Sequence, residues 1–130
     1  MSQLIRIAGR DGEPRASVVF VHDLGGNVED TWRRGGYATK SVDDVTFWPA
    51  WLVRDCEELA VYLVGYDAPV SRLRGTAMHL TDQATNILAR VVAEPALACG
   101  SIIFVGHSLG GLVVKQLLRT AILMALSVQQ

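Results

Sequence analysis

Three short apolar runs recur along the chain, and each gives way at once to glycine or to a polar turn. Residues 17–21 read SVVFV, residues 60–64 AVYLV and residues 102–105 IIFV. Runs of this length, rich in β-branched and aromatic side chains and lacking polar alternation, predict strands buried on both faces of a parallel sheet. A weaker alternation at Leu4, Ile5 and Ile7 predicts a short first strand over residues 3–8, closed by the turn-forming composition of Asp11, Gly12, Glu13 and Pro14.

Between the strands the period changes. Trp48, Trp51, Leu52, Cys56 and Leu59 fall at helical spacing, with Pro49 suited to a first turn. Leu80, Ala84, Ile87, Leu88, Val91 and Val92 mark one face of a second helix that stops at Glu94-Pro95. From Gly111 to Val128 the spacing is helical again; Lys115, Gln116 and Arg119 interrupt it, so it reads as a buried helix and not as a transmembrane segment. Strands alternating with helices of this length predict an α/β fold, a mainly parallel sheet of about four strands flanked by helices on both faces. A site is then expected at the carboxyl ends of the strands.

The densest chemistry lies in residues 101–118, SIIFVGHSLGGLVVKQLL. Gly106-His107-Ser108-Leu109-Gly110 is a G-x-S-x-G sequence between a buried strand and a helix, the context of a nucleophile elbow. A serine hydroxyl is a weak nucleophile and must project from a tight turn where a base can reach it. Such a turn strains the serine backbone and crowds the residues two before and two after, which favours glycine at both. The helix that Ser108 opens presents N–H groups and a positive dipole end to a developing anion. A phosphate-binding loop would require G-x-x-x-x-G-K-[ST], and no lysine stands at the required place.

A second loop belongs to the same edge. His22-Asp23-Leu24-Gly25-Gly26-Asn27 follows the residue 17–21 strand, where paired glycines bring backbone N–H groups to the place of a first oxyanion-hole donor. His22 is read as orienting that loop by hydrogen bonds and not as a base. Asp67 before Pro69 is a candidate polar site residue or, as is usual for an aspartate close before proline, a turn former, and His79, at the start of the second helix, is read as a surface residue. Residues 28–46 form a polar surface excursion in which Trp32 and Tyr37 pack against the domain or line a cleft.

Composition narrows the function. The chain has 130 residues, enough for one domain at most, with half its residues hydrophobic and a net charge of -1. Twelve basic against 13 acidic residues form no basic stripe, which argues against a nucleic-acid partner. Cys56 and Cys99 are widely separated and make neither a disulfide framework nor a metal site, which favours a reducing, intracellular and cytoplasmic setting, with membrane-associated or organellar placement as the alternative.

VFVHDLGGN and IFVGHSLGGLVVKQ, together with FWPAWL and VGYDA, resemble the N-terminal half of the α/β-hydrolase fold over about residues 17–118. Within it they are most similar to the lipase-like serine hydrolase domains related to the GPI inositol-deacylase and serine-active-site proteins, which also stand before NACHT or repeat-bearing regions. The resemblance implies a truncated α/β-hydrolase fold, in which residues 1–130 are the N-terminal portion of one domain. It implies Ser108 as nucleophile, the backbone amides of Leu24 and Leu109 as oxyanion hole, and Gly106, His107, Gly110, His22, Gly25 and Gly26 as motif residues. An ester or lipid substrate is implied, with no metal or organic cofactor.

Two departures temper that implication. Asp23 stands where the family usually has glycine, and its carboxylate is expected to face away from a site that holds an oxyanion. The family's acid and histidine follow the serine in the chain; here 22 residues follow Ser108 and none is Asp, Glu or His. A Ser108–His22 pair with Asp23 is the only internal substitute. The strand at residues 102–105 is expected to pair on one side only, leaving an apolar edge for further domains of a longer chain or for a partner. The alternative function is a catalytically dead, hydrolase-like interaction module.

Overall fold

The computed structural model describes residues 2–9, 13–23, 28, 30–33, 47–66, 76–98 and 100–129. Four strands form one sheet in the order β1-β3-β2-β4, where β1 is Gln3–Gly9, β2 Ala16–Val21, β3 Leu59–Gly65 and β4 Ser101–Gly106. The pairs β2–β3 and β2–β4 are parallel, and β1 is antiparallel to β3 with a register shift between Arg6 and Ala8. The fold is α/β, as the alternation of strand and helix predicts.

Three α-helices flank the sheet: α1 (Pro49–Asp55), α2 (Thr76–Ala93) and α3 (Leu109–Val128). Successive side chains of a strand point to opposite faces. Val19, Val21, Ala60, Tyr62 and Val64 therefore pack with Ala84, Ile87, Leu88 and Val91 of α2 and Val113 and Leu117 of α3. Val18, Phe20, Val61 and Leu63 pack on the other face with Trp32, Phe47 and partly buried residues of α1. The aromatic rings there meet edge to face, Phe20 lying 4.9 Å from both Trp32 and Trp48.

Several local expectations shift. The first helix is one turn shorter than its apolar spacing suggests, because Leu59 begins β3, and Trp51 and Cys56 are exposed. Val92 turns away from the α2 core face and is 71% exposed. The largest correction concerns α3, which is not a buried helix along its length. Gly110, Val113 and Leu117 lie against the core, but Leu112, Leu118, Ile122, Leu123, Met124, Leu126 and Val128 are exposed. Among the described residues α3 alone is long and apolar enough to cross a membrane, by length and composition. Among the described residues β4 pairs with β2 alone, and Ile103 on this edge is half exposed.

Candidate active site

The register of the sheet assembles the site. Val21 of β2 is opposite both Val64 of β3 and Gly106 of β4, so all three parallel strands end at one level. The residues just beyond them, His22 and Asp23, Tyr66, and His107 and Ser108, are brought to one edge.

Ser108 stands between β4 and α3 as the helix N-cap, exposed, with φ 53° and ψ −122°. Among the described residues no other non-glycine has positive φ. This sparsely populated conformation costs on the order of 1–3 kcal/mol and persists only where the surroundings impose it. They do so from two sides. The His107 amide donates to Val21 O at 3.0 Å, tying the turn to the end of β2. The Gly110 and Gly111 amides turn back to the carbonyls of His107 and Ser108 at 2.9 and 3.0 Å. The Leu109 amide, first in the helix, has no carbonyl four residues back within the helix.

The flanking glycines are required by close approach. A Cβ on Gly106 would lie 2.7 Å from Gly111 Cα, and one on Gly110 would strike the carbonyl oxygens of Val21 and His22. The crowding of the turn thus falls between Gly106 and the first turn of α3, and separately between Gly110 and the end of β2.

His22 is 1% exposed, and both of its ring nitrogens are engaged. Nδ1 lies 2.8 Å from Asp23 O, and a carbonyl only accepts, so Nδ1 carries the hydrogen. Nε2 accepts the Tyr66 amide at 3.4 Å. The ring is therefore the neutral Nδ1–H tautomer, and burial holds its pKa below the usual 6.5 against the opposing influence of Asp23. With Nε2 occupied, His22 is an orienting group and leaves no lone pair for Ser108. The Tyr66 ring stacks on the imidazole, with centroids 4.2 Å apart and planes 13° apart, and its hydroxyl donates to His22 O. Burial, aided by Asp23, pushes the phenol far above its ordinary pKa, so it remains a donor.

Asp23 does not point clear of the turn. Its Oδ2 is 3.7 Å from His107 Nδ1, beyond hydrogen-bond reach but close enough for an ion pair whenever His107 is protonated. The carboxylate thus rests beside the imidazole that precedes Ser108. His107 is itself half exposed and stands edge-on to buried Trp32, with centroids 6.2 Å apart. Trp32 is 3% exposed, which settles its part as packing.

Leu24, Gly25, Gly26, Asn27, Tyr37, Asp67 and Cys99 lie outside the described residues, as does the side chain of His79. Among the described residues no three His, Cys, Asp or Glu side chains gather as a metal set would. Tyr66 is the residue that motif reasoning passes over. Its signal is position: an aromatic side chain with a polar tip, one step beyond a buried strand, beside a strand-end histidine.

Fold and site together describe an α/β protein with a strained, exposed serine on a strand-to-helix turn at the carboxyl edge of its parallel strands. Among curated proteins the chain is similar to protein SERAC1 of Bos taurus, 33% identical over 125 residues, and to those of Homo sapiens and Mus musculus, 32% and 31% identical over 125 and 126 residues. Each comparison covers 86% of this chain and 19% of the relative, so the chain spans about a fifth of the length of the relatives it matches. No family model matches the chain. No solved structure matches it.

Proposed function

We propose that these residues are the N-terminal portion of an α/β-hydrolase domain, a serine hydrolase of carboxylic esters with lipids as the favoured substrate class. The observation that carries the reading is the backbone of Ser108, held at φ 53° between a strand and a helix with glycine required on either side. Ser108 Oγ would attack the acyl carbon, the carbonyl oxygen would take up negative charge facing the Leu109 and Leu24 amides, and the alcohol would leave protonated. Water would then hydrolyse the acyl-serine, restoring Oγ–H. His22 is committed elsewhere, so the base that takes the serine proton, and its acid partner, would come from residues beyond these 130. A strand laid along the open side of β4, with its helix against the exposed flank of α3, would cover the apolar surface and carry them to the same edge.

A second reading, a non-catalytic interaction module, draws on the exposed apolar side of α3 and on the pairing of β4 with β2 alone among the described residues. In that case the same surface holds a partner and Ser108 is a relic of the turn. A fluorophosphonate probe separates the two, applied to the 130-residue chain beside the longest natural product that carries it. The expected result is slow or absent labelling of the short chain and stoichiometric labelling of the longer one, abolished by Ser108→Ala. A longer product that is never labelled favours the module. Fast labelling of the short chain would reveal an internal base.

A further inference from the structure

We infer that Tyr66 is a positioning residue for Ser108, acting from just beyond the end of β3 through the carbonyl end of β2. Its kinetic consequence rests on the reading of Ser108 as a nucleophile; its structural consequence does not.

Three contacts converge on His22 from Tyr66: the hydroxyl on the His22 carbonyl, the amide on Nε2, and the stacked ring. A fourth, from His22 Nδ1 to Asp23 O, fixes the next peptide as well. The carbonyl gripped by Tyr66 is one of the two against which Gly110 packs, and its neighbour, Val21 O, accepts the His107 amide. The end of β2 is thus clamped between Tyr66 on the β3 side and the serine turn on the β4 side. A carbonyl free to tilt would carry Gly110 and His107 with it, and a serine held in a strained conformation has no local preference to hold it in place. The phenol is buried and stays protonated, so its O–H is a permanent donor to that carbonyl.

Tyr66→Phe keeps the ring and removes only the hydroxyl; 4-aminophenylalanine at this position restores a donor on the same ring. Two readouts apply in the full chain. Hydrogen exchange at the His107 amide, which reports the Val21–His107 bond, is expected to quicken about tenfold in Tyr66→Phe and to return with the amino analogue, the scale of one lost hydrogen bond. In a wild type that reacts with a fluorophosphonate, the maximal labelling rate is expected to fall about tenfold. The probe concentration for half-maximal rate should stay the same, and the amino analogue should rescue the rate. Wild-type exchange at His107 in Tyr66→Phe would overturn the inference, as would unchanged labelling where the wild type labels. A wild type that never labels defeats the nucleophile reading alone, and the exchange readout then decides the positioning role.

Discussion

Gly106, Gly110 and Gly111 surround Ser108, yet their surroundings differ. Added carbon meets backbone at Gly106 and Gly110 but nothing within 4 Å at Gly111. Gly111→Ala should therefore stabilise the protein by about 0.5–1 kcal/mol, the helix-propensity gain of alanine. Gly106→Ala and Gly110→Ala should each cost about 1–3 kcal/mol or more, because the added carbon meets backbone atoms, of Gly111 in the first case and of Val21 and His22 in the second, which cannot rotate aside as a side chain can. Urea denaturation midpoints of the three variants check the contrast. His22 makes a pH-dependent contribution of definite sign. Its folded pKa lies below the 6.5 of the unfolded chain, through burial first. Above about pH 6.5 both states are neutral; as pH falls through that value the unfolded state takes up a proton first and stability declines, until the folded pKa is passed. The wild type should lose stability between pH 7.5 and 5.5, by no more than about 1.4 kcal/mol per pH unit from this group. His22→Asn should show a shallower slope in the same interval, and thermal melts across it provide the comparison.

At the scale of elements, α3 has two characters. Its first half is packed: Val113 and Leu117 are buried against α2 and the sheet. Its second half carries Ile122, Leu123, Met124 and Leu126 in contact with solvent. Leu117→Ala should cost about 2–5 kcal/mol, the usual range for a buried leucine that leaves a cavity. Leu123→Lys should change stability by less than about 0.5 kcal/mol in the 130-residue chain. In a longer protein where another element covers α3, the same lysine substitution should be strongly destabilising, because it would bury an unpaired charge. Chemical denaturation of the two substitutions in both contexts measures the difference. The short α1 shows the opposite balance, since the β-pairing of Leu59 with Ala16 overrides the helical spacing that would have extended it.

Across the whole molecule, what was readable depended on how local the cause was. The strands at residues 17–21, 60–64 and 102–105 were legible because a fully buried strand needs an unbroken apolar run. The serine turn was legible because its steric demand falls on glycines two positions away. The antiparallel direction of β1 had no such signature: a short alternating run pairs equally well either way, and only the edge of β3 available to it decides. The exposure of α3 was equally invisible, since apolar residues at helical spacing describe what a helix can bury and not what stands ready to cover it. Tyr66 escaped notice because its partner, His22, is 44 residues away in the chain and adjacent only through the β2–β3 register.

The order of apolar runs and glycines by itself determined an α/β chain with one exposed serine at a strand-to-helix bend, because each of those features is enforced by neighbours within a few residues. The tertiary structure alone decided that His22 is neutral and spoken for, that Asp23 rests beside His107, and that Tyr66 grips the strand end under the serine. Those outcomes depend on which strand ends share a level, and that is settled by hydrogen-bond register across the sheet.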